Sequence, residues 1–131
     1  MTRMARRSCD NELEPGPVHV APPIVRDELL AFALGASLLV HDGQYLESDM
    51  PLKLGWGHSI VPAVLELGRQ AEVHTLALYH HDPDRDNDQL EAIETSASAW
   101  WREHVRGGAL LVAREGMTLE VGRSSVKQIA P

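Results

Sequence analysis

The stretch that decides the fold runs from Leu38 to Asp84. It reads LLVHDGQY (Leu38–Tyr45), LESDMPLKL (Leu46–Leu54), GWGHS (Gly55–Ser59), a helix-like run, and finally LALYHHDPD (Leu76–Asp84). Two short apolar runs in it close on polar pairs. Leu38-Leu39-Val40 closes on His41-Asp42, and the β-rich run from Val73 to Tyr79 closes on His80-His81. Apolar runs of this length bounded by turn signals suit buried strands, and open α/β sheets keep their chemistry at the C-terminal ends of such strands. Between them, Pro51, Gly55 and Gly57 mark a loop that presents Trp56 and His58 on backbone able to bend sharply. Ser59 suits an N-cap and Pro62 a first helical turn. Val64, Leu65, Leu67 and Ala71 then supply the buried face of a helix ending near Gln70.

Working outward, Asp82 to Asp88 is an acidic helix entry. Leu90, Ile93, Ala97, one of Trp100 and Trp101, and Val105 mark the long amphipathic helix that follows, stopped by Gly107-Gly108. Ala109–Ala113 reads as a strand, Glu115-Gly116 as a turn, and Met117, Leu119 and Val121 as the inward positions of a half-exposed strand. From Gly122 the chain is polar and is expected to be a loose tail. On the N-terminal side, Asp27 is expected to cap a short helix with Leu29, Leu30, Ala33 and Leu34 on one side and Gly35 at its end. Pro15-Gly16-Pro17 and Pro22-Pro23 read as loop punctuation, and Met1–Arg7 as a frayed basic start. The order is helix, strand, helix, strand, helix, strand, strand, which implies α/β layering.

The chain has 131 residues, 44% of them hydrophobic, enough for one domain burying about two thirds of its unfolded surface. A net charge of −7 argues against non-specific binding to nucleic acid or to an anionic membrane, because such binding needs Lys and Arg to neutralise phosphates. Cys9 is the single cysteine, which leaves no internal disulfide and no Cys-based zinc motif. With no signal-peptide core and no membrane-length apolar run, a cytoplasmic location is expected.

Four constellations invite a chemical reading. A histidine at a strand end, His80 above all, is poised to bind metal, since imidazole nitrogen suits zinc and iron and a strand holds it rigidly; the plain alternative is a polar strand end paired with Asp82 or water. His58 stands at a helix entrance where it can donate a proton to a leaving oxygen, with Asp42 as its acidic partner; the plain alternative is a surface histidine and a turn-capping aspartate. Ser59, His58 and Asp42 include the residue types of a serine triad, but no G-x-S-x-G elbow surrounds the serine. Asp82, Asp84 and Asp86 begin like a calcium loop, but Asn87 stands at the glycine position and Ile93 at the closing glutamate position.

Taken in order, DNEL (Asp10–Leu13), LLVHDGQY, GWGHS, LYHHDPD (Leu78–Asp84) and AREGMTLEV (Ala113–Val121) resemble the metallo-β-lactamase-fold hydrolases, in particular their ribonuclease Z and phosphodiesterase-like branch. The resemblance spans about Asp10 to Val121. It implies one partial domain: a basic arm over residues 1–9, the family-like region over 10–121 and the loose tail over 122–131. The fold implied is the C-terminal half of an αββα sandwich.

By the same resemblance, Asp10 matches a metal-bridging aspartate and His80 the last histidine ligand. His58 matches the histidine that touches substrate phosphate or assists the leaving group, and Asp42 matches its acidic partner. His41 and His81 are family-like neighbours without an assigned role. Two divalent ions, zinc or else manganese or iron, are implied as cofactors, with a phosphodiester or other small-molecule substrate. The chain departs from the family pattern in having no H-x-H-x-D-H motif. Asp10 and His80 alone would hold metal weakly. The expectation is therefore a hydrolase half-site, inactive by itself and completed by an N-terminal half or by self-association that covers exposed apolar sheet. The alternative is a non-catalytic α/β interaction module or a truncated gene product.

Overall fold

A computed structural model of the chain describes residues 23–49, 59–123 and 125–131. Its elements are α1 (Pro23–Ala33), β1 (Leu38–Asp42), a 3-10 turn (Glu47–Asp49), α2 (Val61–Gln70), β2 (Thr75–Tyr79), α3 (Asn87–His104), β3 (Ala109–Val112), β4 (Thr118–Val121) and β5 (Val126–Ala130). The first three strands form a parallel sheet in the order β1-β2-β3, with α2 and α3 as the crossovers. Strands β4 and β5 pair antiparallel as a separate two-stranded sheet.

The alternation of side chains along a strand sorts the layers. Leu39 on β1, Leu76 and Leu78 on β2 and Val112 on β3 face one way, into a core with Val64, Leu65 and Leu67 of α2 and Ile93, Ala97 and Trp101 of α3. Leu38 and Ala77 face the other way, where Val40, Leu111, Leu119, Val121 and Val126 cover them. Helices therefore lie on one face of the parallel sheet and the β4–β5 hairpin on the other, giving three layers in the order α, β, β. Helix α2 approaches the sheet and α3 closely at Gly68. A Cβ there would stand 3.1 Å from both Leu76 Cδ2 and the Trp101 ring, so any larger residue would press on both side chains.

Three boundaries differ from the sequence reading, each for a stated reason. Helix α1 begins at Pro23, so the exposed Asp27 lies inside it rather than capping it. A proline in a first turn loses no helical hydrogen bond, and Pro23 thus belongs to the helix entrance. Helix α2 has Ile60, not Ser59, as its N-cap, with no side-chain cap bond. The backbone of Ser59 is committed elsewhere: its carbonyl accepts from Tyr45 N–H at 3.1 Å, in a short parallel bridge between Tyr45 and Ile60.

The third difference is the tail. Residues expected to be loose form β5, whose Val126 packs on the Leu38–Ala77 cluster while Lys127, Gln128 and Ile129 are exposed. The Ser37 hydroxyl donates to the Arg123 carbonyl oxygen at 2.5 Å, fastening the approach to this strand. Residues 1–9 and Asp10 lie outside the described residues. The Trp pair divides as expected, with Trp101 at 2% exposure and Trp100 half-buried.

Because the partly buried Val126 packs on the second layer, Val126→Asp is expected to lower unfolding stability by about 1 kcal/mol or more, through lost packing and a carboxylate set against an apolar cluster. Gln128→Asp, on the exposed face of the same strand, should stay within about 0.5 kcal/mol of the parent. Urea titration of the two variants checks the difference, and equal effects would contradict the packing role of β5.

Candidate functional site

The site lies at the C-terminal ends of β1 and β2. Their parallel register sets Asp42 beside Tyr79, so the next residue on the second strand, His80, emerges next to the Asp42 carboxylate. Asp42 is fully buried. Its Oδ1 accepts the Ser59 backbone N–H at 2.7 Å, and its Oδ2 lies 3.0 Å from His80 Nδ1. One carboxylate thus ties the end of β1, the approach to α2 and the end of β2. The His80 side chain is 48% exposed while its Nδ1 meets the buried carboxylate.

His80 adopts φ +58°, a left-handed conformation uncommon outside glycine but one in which His, Asn and Asp are enriched; Glu72 shares it at φ +52°. Such strain persists only where the surroundings hold it, and functional sites are where it concentrates. Here the Asp42 bond and the adjoining ladder hold it; Gly43 N–H donates to the Tyr79 carbonyl oxygen at 3.0 Å and fixes the last peptide of β2.

The neighbouring histidines are turned away from this role. His41 is buried, with Nδ1 donating to the Asp42 carbonyl oxygen at 2.9 Å. His81 Nε2 donates to the Ala113 carbonyl oxygen at 3.3 Å, while its buried Nδ1 has no hydrogen-bond partner among the described residues. Burial pushes the His81 pKa below the usual 6.5, and the nearby Arg85 charge adds to that; the Ala113 bond and the Asp42 charge oppose it. The Tyr79 phenol is raised above its usual value, first by burial and then by the Asp42 charge.

The loop after His80 is built as tightly as the strand ends. Asp82, buried rather than solvated as the acidic run suggested, accepts the Asp84 N–H at 3.0 Å, and its carbonyl oxygen accepts from Arg85 N–H. Asp86 caps α3 in a reciprocal pair with Gln89, each side chain taking the other's backbone N–H. Arg85 reaches back to Asp49 Oδ2 at 2.5 Å and to the Gln44 carbonyl oxygen at 3.4 Å, clamping the loop after β1 to the loop after β2. This clamp was not read from the sequence. Its only signal there is a lone basic residue inside an acidic run.

Of the four site residues expected from sequence, the structure brings Asp42 and His80 together. Asp10 and His58 lie outside the described residues. Among the described residues there is no cluster of three or more His, Cys, Asp or Glu side chains able to hold a metal ion. What is present fits one histidine ligand with a carboxylate behind it, a common arrangement at metal centres.

This geometry has a counterpart among solved structures. The chain superposes on the metallo-β-lactamase-fold protein YhfI from Bacillus subtilis with a TM-score of 0.53, at 18% identity, over 78% of this chain. The chain has the metallo-β-lactamase fold. Its α, β, β layering corresponds to part of that αββα sandwich, and it spans 35% of YhfI. In sequence, 57 residues are 37% identical to a ribonuclease Z from Thermoplasma acidophilum, covering 44% of this chain and 19% of that protein. No family model matches the chain. No helix among the described residues is long and apolar enough to cross a membrane.

Two outcomes follow from this metallo-β-lactamase-fold site. Left-handed backbone at residue 80 favours glycine, so His80→Gly is expected to exceed His80→Ala in stability by about 1 kcal/mol, or about 4 °C in Tm. A reversed order, measured by thermal unfolding, would show that the backbone is not strained there. For His81, a folded-state pKa below 6.5 means that the unfolded chain binds more protons in the acid range. Its contribution to stability is complete above about pH 6.5 and is lost as pH falls through the lowered folded pKa. Urea midpoints taken from about pH 7.5 to about pH 5 should therefore fall with acidity, and His81→Phe should flatten that slope.

Proposed function

We propose that this chain supplies part of the active site of a metal-dependent hydrolase directed at phosphodiesters. The observation that carries the reading is His80: a strained, half-exposed histidine at a strand end, gripped through Nδ1 by a fully buried aspartate. A buried aspartate that holds an exposed imidazole at a strand end is the kind of pairing that functional sites use, and that supports the reading. The metallo-β-lactamase fold supports a hydrolase, and the likeness to a ribonuclease Z favours phosphodiester over other bonds.

In this reading His80 and Asp10 hold divalent metal, zinc or else manganese or iron. When bound, such an ion supplies Lewis-acid polarisation and an activated water. His58 faces the phosphoryl oxygens and donates a proton to the departing oxygen, with Asp42 as its acidic partner. The remaining ligands come from a segment bearing H-x-H-x-D-H, on the same or another polypeptide, since the sequence contains no such motif. That segment comes from an N-terminal half, or self-association takes its place. The charge of −7 leaves substrate recognition to metal and local groups rather than to a basic surface.

The test is a fusion of this chain behind the H-x-H-x-D-H half of a ribonuclease Z, assayed with bis(p-nitrophenyl) phosphate and added zinc or manganese. Metal-dependent hydrolysis is expected, falling at least about 100-fold in His80→Ala, while the chain alone should show none. A folded fusion that retains two metals and turns over equally well with and without His80 would sink the proposal.

A further inference from the structure

We infer that the cavity between α2 and α3 is a binding site for an amphipathic monocarboxylate, whose acyl chain lies along α3 and whose carboxylate meets Arg85. None of the residues assigned to the hydrolase reading takes part, so the two stand or fall separately.

The shape of the cavity follows from helical spacing. Gln89, Ala92, Ile93, Ser96 and Trp100 line one side of it, and intervals of three and four place them on one face of α3. From Gln89 to Trp100 that face runs about 16 Å at about 1.5 Å per residue, so the cavity is elongated. Helix α2 contributes Val61 and Leu65, and Leu46 joins them from the loop after β1. Val61, Leu65 and Ile93 are buried, Trp100 is half-buried, and Ala92 and Ser96 are exposed. The volume is about 470 Å³, within the range of about 300–1,000 Å³ that small-molecule sites occupy. Such sites are mostly apolar with a few polar groups that fix orientation, as here.

The polar groups gather toward one end. Arg85 and Gln89 stand where the chain enters α3, and Ser48 lies in the 3-10 turn. In a chain with 19 Asp and Glu against 12 Lys and Arg, the residues lining this cavity include no carboxylate, and Arg85 is the charged group among them. Asp49 and the Gln44 carbonyl oxygen both take the same guanidinium nitrogen, Nη2. Arg85 Nε is buried with no hydrogen-bond partner among the described residues. A guanidinium only donates, so the group has capacity that only an acceptor can use. Gln89 already spends Oε1 on the Asp86 N–H, which leaves its NH2 to donate as well.

The head that fits is a singly charged acceptor. Asp49, 2.5 Å from Nη2, offsets much of the guanidinium charge, so a doubly charged phosphate would lack a counter-charge. A carboxylate needs less, and its plane matches the guanidinium fork. Beyond that end, the lining is apolar up to Trp100 apart from the Ser96 hydroxyl, which selects an acyl chain over a polar body.

Isothermal titration of decanoate into the full 131-residue chain, below the concentration at which decanoate aggregates, is expected to show one saturable site. Decylammonium, of the same length and opposite charge, should bind at least about tenfold more weakly. Ala92→Phe places a ring in the cavity from an exposed position and removes no core contact, and decanoate affinity should fall at least about tenfold. Ser96→Phe repeats the test one turn further along α3. Arg85→Gln should erase the preference for decanoate over decylammonium. Because Arg85 also ties the two loops, the comparison of both probes on the parent chain reads the charge even where that variant does not fold. Absence of saturable decanoate binding, decylammonium binding as tightly, or unchanged affinity in either folded phenylalanine variant would overturn the inference. A parent chain that sediments as a dimer, becomes monomeric in Ala92→Phe and binds no decanoate would overturn it too, by assigning the cavity to a second copy.

Discussion

The structure turns on one buried carboxylate. Placing Asp42 at zero exposure incurs a desolvation cost of several kcal/mol unless its oxygens are bonded, so the fold around it is constrained to deliver donors. Two of its partners come from different parts of the chain, the Ser59 amide before α2 and the His80 ring after β2. Satisfying Asp42 thus requires that the β1–β2 register be right, that the chain enter α2 at the right point, and that His80 tolerate left-handed backbone. A slip of one residue between the strands would turn Asp42 toward the opposite face of the sheet and leave it without these partners. The carboxylate therefore specifies the register as well as the site.

The loops above the strand ends extend the same logic. Arg85 clamps the turn after β1 to the turn after β2 through Asp49 and Gln44, and the Asp82 turn and the Asp86–Gln89 capping pair hold the loop from which Arg85 projects. Below, Leu39, Leu76, Leu78 and Val112 anchor the sheet against the helices, with Trp101 packed on Gly68. A rigid floor and a tied rim are what a ligand residue needs in order to be held within a fraction of an ångström. That rigidity distinguishes His80 from His104, which sits exposed near the end of α3 and bonds only its own helix through the Trp100 carbonyl oxygen.

Much of the scaffold was legible because the strands β1 to β3 are short apolar runs ended by polar pairs, and the helices between them carry an apolar stripe of helical period. The AREGMTLEV segment announced β4 by alternation. Strand β5 was not legible: Ser125-Val126-Lys127-Gln128 carries one inward apolar residue, and a strand whose pairing to β4 provides its order need not show a pattern of its own. Ser59 reads as a cap because capping preference is a local rule, while its amide answers to a buried side chain 17 residues earlier. His80 and Asp42 were each legible as chemistry-bearing residues. Their pairing was not, since it depends on a register that no local pattern prints.

That last point bears on how far a strand-end histidine can be read as a ligand. The same HisHis pair contains two residues with opposite fates. His81, one position on, donates to Ala113 and is driven toward neutrality by burial, so it serves the junction with β3. His80 is turned the other way by its left-handed φ, toward Asp42 and solvent. Backbone conformation at a single residue therefore decides which imidazole meets Asp42 and which packs at the junction with β3. In a chain whose sequence aligns with only 19% of a ribonuclease Z, this local division is stronger support for a ligand role at His80 than the presence of two histidines in the motif. The motif alone does not distinguish them, whereas the hydrogen bonds do.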